Sequence, residues 1–186
     1  MFRLRLKTYV VLPLAHLLLI VSLFTVDNLL AALAIGVVLY YPIFILGYNI
    51  GHHKLFAHRS FKPKDWYPYV AVYCGMLSWH GTPLITSITH RVHHIHSDTD
   101  LDPSNANRGI WYAYIGWLYS YRIPKREYLR VKDLRRDYPW LEKVEKLEII
   151  VPLMHYALAY AISPVLGTGF VLGSLLAFHS PLLVNG

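Results

Sequence analysis

Residues 29–50 read LLAALAIGVVLYYPIFILGYNI, a run of 22 residues without a charged side chain. A second apolar run, residues 8–26, comes before it, and Asp27 and Asn28 separate the two. About 20 apolar residues of helix cross a bilayer, so each run is long enough to span a membrane. The first run is longer than the core of a signal peptide, and no small-residue cleavage motif follows it. The two runs therefore predict a retained transmembrane hairpin.

A second pair of apolar stretches lies near the other end of the sequence. Residues 147–163 and 169–185 flank the turn-prone segment 163–169, and each stretch is near the lower limit for a span. Of the whole chain, 55% is hydrophobic and only 16% is charged, which is too apolar for a soluble domain or a disordered tail. We therefore predict one all-α integral membrane domain with two transmembrane hairpins, four helices in all, and a histidine-rich helical cap.

The basic residues predict the orientation of these spans. Of the 18 Lys and Arg residues, three lie in residues 1–7 and fifteen lie in residues 53–146, which leaves none at either hairpin tip. By the positive-inside rule, both termini and the large middle segment are cytoplasmic. The net charge of +7 then follows mainly from topology, with attraction to anionic headgroups or to a phosphorylated substrate carrier as secondary roles. No nucleic-acid-binding motif accompanies the charge, so nucleic acid is not an expected partner.

The middle segment, about residues 51–146, contains two stretches with a predicted helix. Residues 66–89 are apolar and aromatic, and a fifth span there would break the charge rule, so we predict a helix in or just under the membrane interface. Residues 128–146 are charged and helix-forming. A solvated cap is the favoured interpretation of that stretch, and a partner-binding site is the alternative.

Histidine is the residue that carries chemistry in this sequence. Eight of the eleven histidines lie between residues 52 and 96, and the single cysteine excludes a disulfide framework or a cysteine-based zinc site. On a helix, His93 and His94 lie within about 60° and 40° of His90, so the three rings can converge. His93 and His94 are about 100° apart, which suits two neighbouring metal ions. His53 and His58 are about 140° apart on an ideal α-helix, and we expect that pair to straddle a helix end.

Five of these histidines are candidate metal ligands: His53, His58, His90, His93 and His94. Imidazole suits iron, copper, nickel and zinc, and the absence of a cysteine pair makes the predicted site rich in nitrogen. The remaining six are interpreted as packing or interfacial residues: His16, His52, His80, His96, His155 and His179.

Two motifs carry a family resemblance. The stretches GHHKLFAHRSF (residues 51–61) and HRVHHIHSDTDLDP (residues 90–103), followed by GIW (109–111) and IGWL (115–118), resemble the first two histidine boxes of the membrane fatty acid desaturases, specifically the delta-9 acyl-CoA and acyl-lipid branch. The resemblance runs from about residue 30 to residue 186. It implies four transmembrane helices, a cytoplasmic cap, a di-iron centre and insertion of a cis double bond into a saturated acyl chain with O2.

The resemblance also implies a set of site residues and partners. His53 and His58 match the first box, the three histidines at 90, 93 and 94 match the second, and Asn185 resembles an asparagine that approaches one iron through water. The implied partners are an acyl-CoA or acyl-lipid substrate, a cytochrome b5-type or ferredoxin-type electron donor, and the lipid bilayer. The implied location is the endoplasmic reticulum or the bacterial inner membrane, with the active face cytoplasmic. Three aspartates after the second box have two alternative interpretations, partners that fix imidazole tautomers or parts of a turn: Asp98, Asp100 and Asp102.

The sequence departs from the family pattern after Asn185. The family continues to another histidine ligand and a third box, His-x-x-His-His, so we expect residues 1–186 to be one desaturase-like membrane domain that is incomplete at its C-terminus. Three functions remain open at this point. They are a desaturase completed by further sequence or by a second polypeptide, a non-catalytic or split-subunit remnant, and a related di-iron hydroxylase of lipids or alkanes.

Overall fold

The computed structural model describes residues 7–181. Between these residues the chain is helical and contains no strand, as the sequence predicts. The helices are Lys7–Thr25 (α1), Leu29–Ala57 (α2), Tyr67–Met76 (α3), Pro83–His96 (α4), Trp117–Ser120 (α5), Lys132–Asp137 (α6), Leu141–Val144 (α7), Ile150–Ile162 (α8) and Pro164–His179 (α9). Two parts of the first two helices, Lys7–Val11 and Tyr41–Ala57, have the wider π-type winding.

Helices α1 and α2 are long and apolar enough to cross a membrane. The side chain of Asn28 accepts a hydrogen bond from the backbone N–H of Ala31 at 3.0 Å, which caps the start of α2. Large apolar side chains on both helices face outward, and Phe24, Leu30 and Val38 are 87%, 79% and 68% exposed. An exposed apolar surface of this kind is typical of contact with lipid.

The second apolar pair forms α8 and α9, and the predicted loop between them is wrong. The turn is Ser163 alone, and α9 begins at Pro164 rather than near residue 169. Ser163 accepts a hydrogen bond from the backbone N–H of Leu166 at 3.1 Å, and proline at the first helical position favours helix initiation. Helix α9 packs closely on α2. At Gly173 the two backbones approach so closely that an added Cβ would lie only 2.7 Å from the carbonyl oxygen of Gly36.

The apolar stretch at residues 66–89 forms two helices, so the prediction of a single helix there is wrong. Helix α3 ends at Met76, and α4 begins only at Pro83. Gly81 has φ of +104°, a backbone conformation that a helix cannot include. The hydroxyl of Thr82 then caps α4 by accepting from the backbone N–H of Ile85. This break directs α4 back over the end of α2.

The charged stretch at residues 128–146 is divided into short helices that pack on the histidine-bearing helices. Leu134 of α6 and Leu141 of α7 are fully buried. They share one apolar core with Phe56 near the end of α2 and with Ile88 and Val92 of α4. The cap therefore lies directly against the two helix segments that carry the candidate ligands.

Candidate metal centre

The first pair of candidate ligands lies at the end of α2. His53 is in the last turn of the helix, and His58 is the residue that ends it. The winding there is π-type, with a hydrogen bond of 3.0 Å from the backbone N–H of His58 to the carbonyl of His53. Residues five apart are therefore one wide turn apart, and the Nε2 atoms of the two rings are 2.9 Å apart. The pair straddles the helix end, as expected, and the π-type winding brings the two rings closer than the 140° separation of an ideal α-helix would.

The second group lies on α4 and meets the first. The Nε2 atoms of His90 and His94, one α-helical turn apart, are separated by 2.9 Å. The Nε2 atom of His90 is also 2.8 Å from that of His58. Four of the predicted ligand residues thus converge from two separate segments of the chain.

The donor set fits a metal ion. The ligand nitrogens of His53, His58 and His90 all lie within 4.8 Å of one another. Two nitrogens bound at about 2.1 Å to one metal, at a right angle, would be about 3.0 Å apart, close to the observed separations. The Nε2 atoms of His58 and His90 each face two neighbouring rings, whereas a neutral ring nitrogen offers one proton or one lone pair. A shared cation would satisfy the ligand nitrogens of His53, His58 and His90 together.

His93 points to a different partner from the other four histidines. Its Nδ1 atom lies 2.9 Å and 3.1 Å from the two carboxylate oxygens of Asp102, which is buried. The carboxylate of Asp102 also accepts from the backbone N–H groups of Asp98 and Ser104. Asp102 thus closes a turn and also contacts a ring nitrogen, as the two alternatives for the aspartates predicted. Asp98 and Asp100 are exposed.

Burial favours the neutral form of two imidazoles in the cluster, those of His58 and His90. Burial is the main reason why the pKa of His90 falls to about 3. The charges of neighbouring histidines, His53 foremost, lower this pKa further. Burial also lowers the pKa of His58, and His94 and Arg91 lower it further. Neutral imidazole is the form that binds metals, so these shifts favour metal binding near pH 7.

The histidines that the sequence assigned to packing lie outside this cluster. His16 and His179 contact each other through their Nε2 atoms at 2.9 Å. His155 contacts the hydroxyl of Tyr73, and His52 is completely buried. Within residues 7–181, the three-histidine group at 53, 58 and 90 is the one set with metal-binding spacing. Asn185 lies outside the described residues.

No protein-family model matches the sequence. The proteins that it resembles include three acyl-lipid desaturases. An sn-1 stearoyl-lipid 9-desaturase of Anabaena variabilis is 40% identical over 116 residues, 61% of this chain and 43% of the relative. Delta-9 acyl-lipid desaturase 1 of Arabidopsis thaliana is 32% identical over 146 residues, 75% of this chain and 47% of the relative. An sn-2 palmitoyl-lipid 9-desaturase of a Nostoc species is 33% identical over 163 residues, 83% of this chain and 56% of the relative.

The chain spans about half the length of the relatives it matches. The matched portion covers 61–83% of this chain, and each of the three relatives is named as a 9-desaturase or a delta-9 desaturase. The resemblance inferred from the histidine motifs is confirmed, and the chain belongs to the delta-9 fatty acid desaturase family.

Proposed function

We propose that this chain binds iron at its histidine cluster and acts in a fatty acid desaturase. The reaction is O2-dependent insertion of a cis double bond, at the delta-9 position, into a saturated acyl chain. One observation carries the proposal: four Nε2 atoms from two segments meet within 2.8–2.9 Å of their neighbours in a chain whose relatives are named 9-desaturases. The expected electron donor is a separate protein of the cytochrome b5 or ferredoxin type.

The iron ligands proposed from this chain are His53, His58, His90, His93 and His94, with Asn185 near the same centre. When bound, the two irons supply the oxidising power, taken from O2, that is needed to remove hydrogen from an unactivated methylene. The rings of His53, His58 and His90, whose ligand nitrogens lie within 4.8 Å of one another, would hold one iron, with His94 beside them. The Nδ1 atom of His93 contacts Asp102, so the Nε2 atom of this ring would be available to the second iron.

The protein's own contribution is to hold each ring in the right protonation state and orientation. Asp102 keeps a proton on Nδ1 of His93, and this leaves the lone pair on Nε2 free for a metal. The lowered pKa of His90 keeps that ring neutral. An open cavity of about 320 Å³ adjoins the cluster and gives a substrate room to approach. Its walls are formed by His58, His90, Arg91, His94, Ile95 and Arg130.

The proposed setting is a multi-pass membrane protein with the histidine cluster on the cytoplasmic side. In this arrangement α1 with α2, and α8 with α9, form the two transmembrane hairpins. Its support is the apolar character of α1 and α2 and the fifteen basic residues in 53–146. The membrane is the endoplasmic reticulum or the bacterial inner membrane. Labelling of a cysteine placed at Lys132, in a Cys74→Ser background, should occur from the cytoplasmic side, and labelling from the opposite side would contradict the topology.

The proposed substrate is a saturated acyl chain carried on a lipid, with acyl-CoA as the alternative carrier. Two of the three relatives are named for stearoyl-lipid and palmitoyl-lipid. Acyl chains supplied on each carrier, with product measured by gas chromatography, would distinguish them.

The function is tested by expression in a host that lacks its own desaturase. Two forms are compared, the 186-residue chain and the same chain joined to the remaining C-terminal part of the Anabaena relative. We expect iron in both and monounsaturated fatty acids only from the joined form, because the five histidines fill part of a di-iron centre. His90→Ala should abolish the product, and His96→Ala is the matched control. Full iron content and full product with His90→Ala would refute the proposed site.

A further inference from the structure

Arg91, the residue after His90, uses its whole guanidinium group to connect three parts of the chain. Its partners are the backbone carbonyls of Phe56, Ala57 and Arg130 and both carboxylate oxygens of Asp133. The bonds to Ala57 and to Oδ1 of Asp133 are 2.8 Å long, and those to Phe56 and to Oδ2 of Asp133 are 3.0 Å long. Arginine has five N–H donors, so each one has a partner. The carbonyls of Phe56 and Ala57 belong to the last turn of α2, which lacks helical partners.

Arg59, the residue after His58, is bound by α6, the cap helix that also carries Asp133. It has φ of +57°, the left-handed region, where the chain turns away from the end of α2. Its guanidinium donates to the carboxylate of Asp137 and lies 3.8 Å from that of Asp133. Asp133 and Asp137 are four residues apart on α6, so their side chains share one face of that helix.

The two arginines that directly follow two candidate ligands are thus bound by one helix. We propose that α6 acts as a clasp, made of Asp133 and Asp137 with Arg59 and Arg91, that fixes the spacing between His58 and His90. The inference rests on the proposed metal centre. These four are positioning residues, because they act through the histidine backbones and do not contact the ligand nitrogens.

Three features make this clasp rigid. The pair of Arg91 and Asp133 is bidentate, which fixes orientation as well as distance. Burial raises the pKa of Asp133, but the hydrogen bonds from Arg91 outweigh it and lower the pKa below its usual value, so the carboxylate stays charged. Leu134, between the two aspartates, is fully buried and anchors α6 in the core.

The test compares Asp133→Asn with Glu142→Gln in the full 186-residue chain in detergent. Both changes remove one carboxylate charge from the cap, and Glu142 is exposed and pairs with Arg135 at 3.3 Å. Co²⁺ is the probe, read by its visible absorption. Asp133→Asn should weaken Co²⁺ binding about tenfold and alter the spectrum at saturation, whereas Glu142→Gln should do neither. Arg91→Lys should resemble Asp133→Asn, because lysine keeps the charge but lacks the planar fork.

A second measurement needs no metal. Hydrogen exchange followed by mass spectrometry should show faster exchange in residues 54–60 for metal-free Asp133→Asn and no change for Glu142→Gln. Unchanged Co²⁺ affinity and spectrum in Asp133→Asn would overturn the clasp, even if the melting temperature fell. If the unaltered chain and His90→Ala bound Co²⁺ equally, the proposed metal centre would fail instead. In that case the exchange result alone would decide the clasp, and equal exchange would overturn it.

Discussion

Two places within residues 7–181 bring histidine Nε2 atoms to 2.9 Å from each other, and their surroundings differ. One is the pair of His16 on α1 and His179 on α9. Its other ring nitrogens are also engaged, since Nδ1 of His16 lies 2.7 Å from the carbonyl of Leu12 and Nδ1 of His179 lies 2.7 Å from the hydroxyl of Tyr114. One proton per ring completes that chain of hydrogen bonds.

The other place is the cluster at the end of α2 and on α4, where four Nε2 atoms meet. His58 and His90 each have two neighbouring rings at Nε2. With one proton per neutral ring, the four Nε2 atoms cannot form a well-directed hydrogen bond at every contact. The difference teaches that a short distance between two histidines does not identify a metal site. The number of converging nitrogens, and the partner of each remaining nitrogen, distinguish a ligand group from a pair that joins two helices.

The largest expected effect comes from removing a central ring of the cluster. His90→Ala should reduce metal affinity by one to two orders of magnitude or more, because it removes the nitrogen that links the two segments. His155→Ala should leave affinity nearly unchanged. Titration of the purified chains with Co²⁺ measures both. Equal losses of Co²⁺ affinity in the two variants would show that His90 contributes no more to metal binding than His155 does.

A smaller loss is expected from the carboxylate behind His93. Asp102→Asn keeps the shape of the side chain but removes the charge that holds a proton on Nδ1 of that ring. Metal affinity should fall about tenfold, the lower end of the range for such supporting groups. The measurement is the same titration, with Asp100→Asn as the matched exposed control. A loss in Asp100→Asn as large as in Asp102→Asn would contradict the role given to Asp102.

The lowered pKa of His90 predicts how the metal-free chain responds to acid. The value is about 3 in the folded chain and about 6.5 in an unfolded one, so the unfolded chain binds more protons between these limits. The free energy of unfolding should therefore fall as the pH drops from about 6.5 towards 3. Denaturation in detergent across this range should show a weaker pH dependence for His90→Gln. An equal dependence in both chains would exclude His90 as a source.

The smallest effect is expected at the His16 and His179 pair. His16→Leu leaves the Nε2 atom of His179 without that partner, and hydrogen bonds between membrane helices contribute about 0.6 kcal/mol on average. Stability should fall by about that amount, and Co²⁺ affinity should stay unchanged. A large drop in affinity would show that this pair belongs to the metal centre after all.

The sequence predicted which histidines meet better than it predicted the helices that carry them. Imidazole spacing and the family motifs identified the five candidates, and four of them meet in the structure. The sequence placed His53 and His58 at a helix end, but it gave no sign of the π-type winding of residues 41–57 that brings their rings together. The loop expected at residues 163–169 is absent because local capping by Ser163 outweighs the helix-breaking tendency of Gly167 and Gly169.

The contacts of Arg59 and Arg91 with α6 were not predicted from the sequence. They join residues 42 and 78 positions apart, and no local periodicity reports such a pairing. The one available signal was an arginine directly after a ligand histidine in each of the two motifs, at His58 and at His90. Gly81 and Pro83, which separate α3 from α4, both stand within the apolar stretch at residues 66–89. The path of α4 after this break depends on packing against α2, which the sequence pattern does not report.

X-ray absorption spectroscopy of the iron-loaded chain tests the central claim most directly, namely that His53, His58 and His90 share one metal ion. The account predicts a first shell dominated by nitrogen at about 2.1 Å with the outer-shell scattering of imidazole. It also predicts that the imidazole signal decreases in His90→Ala and is unchanged in His16→Leu. A first shell of oxygen without imidazole scattering, or an identical spectrum in His90→Ala, would contradict it.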